Sequence, residues 1–75
     1  MTKAENIKAY ERAAALVNDA GMTFYSVGTQ IGLNSSFFSE WKKGKMMPSA
    51  QNLLKLANYF GVSIEYFLTE EKEEA

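Results

Sequence analysis

Polar and charged side chains able to recognise another molecule gather between positions 35 and 45: Ser35, Ser36, Ser39, Glu40, Lys42, Lys43 and Lys45, with the aromatic Phe37 among them. Hydroxyls donate and accept hydrogen bonds, a carboxylate accepts them, and three lysines within four positions attract anions such as phosphates. This is the chemistry of recognition. Bond-breaking chemistry is poorly served, because the chain has no cysteine and no histidine. Thiolate nucleophiles, imidazole bases, disulfides and the usual zinc ligands are therefore excluded, and no nucleophile sits beside a base. We expect no enzyme, no metal and no cofactor. The one dense carboxylate cluster, Glu70, Glu71, Glu73 and Glu74, shares its segment with Lys72 and has nothing apolar nearby to perturb it. Residues 70–75 read as a solvated acidic tail following a single domain over 1–69.

The elements that must position these groups are marked by capping residues and glycines. Thr2 and Glu5 form a capping box for a first helix, whose apolar stripe reads Ile7, Tyr10, Ala13, Ala14, Leu16, Val17 and Ala20 and which Gly21 ends. Thr23 caps a second helix over 24–31, closed by Gly32. Asn34 or Ser35 caps a third, with Phe38 and Trp41 on one face and Gly44 as its stop. Ser49 caps a fourth, with Leu53, Leu54, Leu56, Ala57 and Phe60 as its apolar face before Gly61. Ser63 opens a short fifth containing Ile64, Phe67 and Leu68. No segment alternates apolar and polar residues long enough for a sheet. The class is all-α, with five helices packed as one unit of 75 residues. No stretch reaches the roughly 20 apolar residues of a membrane span, and the polar start lacks the order of a secretory signal. The expected compartment is the cytoplasm.

Ile31-Gly32-Leu33-Asn34 joins the second and third helices through a turn of about three residues, which is helix-turn-helix spacing. Core-facing spacing selects Val27, Ile31, Leu33, Phe38 and Trp41 and leaves Ser35, Ser36, Phe37, Ser39, Glu40, Lys42 and Lys43 outside. Phe37 has two readings, either an exposed contact for a thymine methyl group or a ring folded into the core. Glu40 either accepts from a cytosine edge or pairs with Lys43 one turn on. Ser35 and Ser36 either read a base or cap the helix.

The order and spacing of several blocks carry a resemblance: Thr23 through Gly32, Ser39-Glu40-Trp41-Lys42-Lys43-Gly44-Lys45, Pro48-Ser49, Leu53-Leu54-Lys55-Leu56-Ala57, and Phe60 through Leu68. Over roughly residues 7–69 the chain resembles the phage-repressor-like (XRE-type) regulators. The resemblance implies a compact five-helix lambda-repressor-like DNA-binding domain. Its recognition helix, here about 35–43, enters the major groove of double-stranded DNA, commonly as a homodimer on a palindromic operator. It points to Ser35, Ser36, Phe37 and Glu40 as base readers, and to Thr23, Phe24, Ser39, Lys42, Lys43 and Lys45 along the sugar-phosphate backbone. Two departures stand out: Phe24-Tyr25 replaces a common glutamine at the start of the second helix, and Gly28 replaces a common alanine.

Charge adds a constraint. Residues 1–45 carry a net +2 and the remainder −3, for −1 overall. So modest a basic patch gives weak non-specific attraction, so that useful affinity needs two copies on a paired site. Ile64, Tyr66 and Phe67 are the expected dimer surface, unless Ile64, Phe67 and Leu68 close the core and leave Tyr66 as the exposed residue. The acidic balance also suits an antitoxin or a protein-interaction module built on the same fold.

Overall fold

A computed structural model describes residues 2–68. Five α-helices follow in chain order: α1 (Lys3–Asp19), α2 (Phe24–Ile31), α3 (Phe37–Lys42), α4 (Ala50–Phe60) and α5 (Glu65–Leu68). The fold is all-helical. The glutamate-rich segment 70–75 lies outside the described residues.

α1 begins with the capping box read from the sequence. The Thr2 amide donates to Glu5 Oε1 at 2.8 Å, and the Glu5 amide donates to Thr2 Oγ1 at 3.1 Å. Thr23 and Ser49 cap α2 and α4 in the same manner, accepting from the amides of Ser26 and Asn52. Each hydroxyl satisfies an amide that the first helical turn leaves without an acceptor. At the end of α2, Gly32 adopts φ 82° and ψ 30°, and the amides of Gly32 and Leu33 both turn back to the Gly28 carbonyl. Such left-handed backbone suits a residue without Cβ, and it stops the helix while its last carbonyls keep partners.

α1 is the spine of the molecule, packing against α5, α3 and α2, while α4 leans on α2. Small residues make that approach possible. Ala9 and Ala13 are fully buried, and with Val17 they form the stripe against which Val27, Phe37, Phe38, Trp41, Leu53, Leu56, Ala57 and Phe67 close the core.

This stripe corrects the expected one by part of a turn. Asn6 and Ala9 take the inner positions, whereas Ile7 is about half exposed. The cause is a buried polar pair. The Trp41 indole N–H donates to Asn6 Oδ1 at 2.8 Å, and Asn6 Nδ2 donates to the Met46 carbonyl at 3.2 Å, so rotating Ile7 inward would orphan all three groups. Leu54 and Leu68, also expected inside, are exposed because Leu53, Leu56 and Phe67 already fill their ends of the core. A further contact ties α2 to α4: the Tyr59 hydroxyl donates to Gln30 Oε1 at 3.0 Å.

α5 is a single turn. Ile64 precedes it, in a turn whose carbonyl accepts from the Phe67 amide. The expected dimer surface is corrected here. Phe67 is buried at 1% exposure inside the monomer, and Ile64 packs half-buried against the core. Tyr66 alone of the three is exposed, and the Arg12 guanidinium lies 5.9 Å from its ring centroid while donating to its backbone carbonyl at 2.9 Å.

Candidate nucleic-acid interface

α3 holds the candidate residues, and its start differs from expectation. The helix runs Phe37–Lys42, two residues later than Ser35. Asn34 is the reason: its Oδ1 accepts from both the amide and the hydroxyl of Ser36, each at 3.1 Å. This side-chain turn competes with helical hydrogen bonding and keeps 34–36 out of the helix. Ser36 is then the N-cap residue by position, but its side chain makes no cap bond to α3. Its carbonyl carries the first turn instead, accepting from the Glu40 amide at 2.9 Å and the Ser39 hydroxyl at 3.2 Å.

The inner side of α3 is aromatic. Phe38 lies 4.6 Å from Phe24, centroid to centroid, and Phe24 lies 5.6 Å from Tyr10. Trp41 meets Tyr10 edge-on at 5.5 Å. Phe37 belongs to this cluster: it is 8% exposed and packs edge-on against Phe38 at 5.2 Å and Trp41 at 5.8 Å. Of its two readings, the core one holds, and its place among the base readers is withdrawn. A ring enclosed by its neighbours has no free face to offer a thymine methyl group.

The outer side presents Ser35, Ser36, Ser39, Glu40, Lys42, Lys43 and Lys45, all exposed. Two hydroxyls are partly committed. Ser36 Oγ donates to Asn34 and Ser39 Oγ to the Ser36 carbonyl, so both are left chiefly as acceptors toward an incoming donor. Ser35, just before α3, and Glu40, within it, lie five positions apart in sequence, with the three lysines beyond them. Thr23 is exposed, its hydroxyl accepting from Ser26, whereas the Phe24 ring turns inward against Tyr10 and Phe38. Only the Phe24 backbone, in the first turn of α2, is left for the phosphate contact expected of it.

Three residues that sequence reasoning missed now belong to the site. Asn6 fixes α3 to α1 through Trp41, and the segment after α3 through Met46. Its signal was a polar residue in register with Ala9, Ala13 and Val17. Tyr25, on α2, is the most exposed large apolar side chain, at 75%. Together with Tyr10 it lines a cleft shared with Ser35, Ser39 and Lys42. Burial pushes the Tyr10 phenol above its usual pKa, which keeps it a neutral hydroxyl.

Two short helices joined by a glycine-stopped turn, the second seated on α1 and carrying its polar residues outward, form a recognisable unit. The helix-turn-helix domain family matches residues 5–73. The chain belongs to that family. No curated protein and no solved structure matches it. A helix-turn-helix domain is a DNA-binding architecture in which the second helix of the unit typically faces the major groove while the first crosses the backbone. Among the described residues no helix is long and apolar enough to cross a membrane, and no three His, Cys, Asp or Glu side chains group as a metal site.

Proposed function

We propose that this helix-turn-helix domain is a sequence-specific regulator of transcription of the phage-repressor (XRE) type, acting in the cytoplasm as a homodimer on a palindromic operator. One observation carries the reading: α3 is anchored from behind by the Asn6–Trp41 hydrogen bond, while its outer side carries hydroxyls and Glu40 followed by a lysine end. That order separates two tasks. Ser35, Ser36 and Glu40 stand where base edges are read, and Lys42, Lys43 and Lys45, with Ser39 and the start of α2 at Thr23 and Phe24, follow the sugar-phosphate backbone. Glu40 makes chemical sense at a cytosine, whose N4 amino group donates, and repels a phosphate. Tyr66 is the part of the expected dimer surface left outside the core, and the exposed Leu68 lies beside it on α5.

Selecting duplexes from a random pool, then titrating the selected site over a salt series, tests this reading. The expected result is an enriched two-fold sequence with half-sites about 34 Å apart, bound by two chains, with log affinity falling linearly in log salt at about −0.9 per phosphate neutralised. Absence of binding to any duplex at low salt overturns the reading and leaves the protein-interaction module, consistent with the net charge of −1.

A further inference from the structure

Between the start of α2 and the outer side of α3 lies an open cleft of about 360 Å³, whose aromatic floor has no part in reading base edges. Its size falls within the range of roughly 300–1,000 Å³ that holds small molecules, at the lower end. Four aromatic residues line it, Tyr10, Phe24, Tyr25 and Phe38, and Gly28 contributes no side chain among them. A Cβ at Gly28 would meet Phe38 Cε2 at 3.6 Å and Leu33 Cβ at 3.8 Å, so the missing methyl group leaves usable space where those side chains meet. Its polar side chains, Thr29, Asn34, Ser35 and Ser39, are neutral, Lys42 is its one charged group, and neither an aspartate nor a glutamate lines the cleft.

Aromatic lining, small volume and a single cationic group without a carboxylate to oppose it specify a ligand. We propose that this cleft binds a small planar aromatic carboxylate, its rings against Phe24 and the exposed Tyr25 and its carboxylate toward Lys42 and Ser39. Because Ser39 and Lys42 also belong to the face offered to the sugar-phosphate backbone, the bound acid and the duplex exclude one another. This exclusion, unlike the binding itself, rests on the function proposed above. The protein is thereby able to couple an aromatic acid to release of its operator.

The test is an amide-resolved NMR titration of the 75-residue chain with 1-naphthoate and, in parallel, with the neutral 1-naphthamide. The expected result is a saturable shift confined to the amides around Phe24, Gly28 and Ser39. Lys42→Gln weakens 1-naphthoate about twofold to fivefold, the range of an exposed ion pair, and leaves 1-naphthamide unchanged. Gly28→Ala, whose added methyl group the structure accommodates, weakens both probes while the helical circular dichroism stays intact. Shifts that fail to saturate, that scatter over the surface, or that ignore both substitutions overturn the proposal. A separate arm adds 1-naphthoate to the protein–DNA complex: displacement supports exclusion, and simultaneous binding overturns it. If no duplex binds at all, the functional reading has failed while the titration still decides the cleft.

Discussion

Cutting Asn6 back to alanine strands the Trp41 indole N–H and the Met46 carbonyl, which Asn6 now serves from a position 3% exposed. A buried donor left without an acceptor costs about 1–3 kcal/mol, so urea unfolding of Asn6→Ala is expected to show a stability loss of that order. On the outer side the expected effects fall on binding instead. Lys43→Ala weakens all duplexes alike and reduces the salt slope by about 1, whereas Glu40→Ala changes which base is preferred at one position; both are read by titrating a panel of operators. Residue by residue, the outer side of α3 was legible because serines, a glutamate and lysines alternate with Phe38 and Trp41. Phe37 was not legible. An aromatic residue at the first position of a short helix faces either way, and only the neighbouring rings of Phe38 and Trp41 decide that it points in. Asn6 escaped notice for the opposite reason: a polar residue is placed in the core by a partner 35 positions away, and its register with Ala9, Ala13 and Val17 marks the position but not the partner.

Two glycines belonging to α2 separate packing from backbone geometry at the level of elements. Gly28→Ala adds a methyl group that meets Phe38 and Leu33 at ordinary contact distance while removing backbone freedom from the unfolded chain, and is expected to stabilise the domain by about 0.4–1 kcal/mol. Gly32→Ala meets no neighbour within 4 Å but must hold φ at 82°, and is expected to cost about 1–2 kcal/mol. Thermal unfolding of the two variants thus moves in opposite directions. Helix limits set by backbone chemistry were readable: Thr2, Thr23 and Ser49 cap where the sequence placed them, and α2 runs to Ile31. Limits set by side-chain competition were not. The Asn34 side chain holds Ser36 in a turn and delays α3 to Phe37, an outcome that depends on two hydrogen bonds of equal length rather than on propensity. The expected stripe of α1 holds at Tyr10, Ala13, Leu16 and Val17 but misses its first turns, because Ile7 and Ala9 fit neighbouring helical stripes and the choice was made by what Asn6 bonds.

For the molecule as a whole, the all-α class and the glycine-stopped unit followed from punctuation, but the division between interior and exposed surface did not. Phe67 closes the core where α5 packs on α1, so a short helix that seemed to have apolar surface to spare keeps only Tyr66 and Leu68 of its apolar side chains outside. Global stability also carries a pH signature. Burial raises the Tyr10 pKa above its usual 10.0, so the folded state holds that proton more tightly than the unfolded chain. The contribution is fully present below pH 10 and is lost as pH rises through the folded-state value; denaturation midpoints measured against pH in the alkaline range are expected to fall, with Tyr10→Phe abolishing that part of the dependence. The chain has one tryptophan, 1% exposed and bonded to α1 through its indole N–H. Its fluorescence and its hydrogen-exchange rate therefore report on a single event, the seating of α3 against α1. The domain carries an intrinsic optical gauge of whether α3 is in place, with no label on the face proposed to meet DNA.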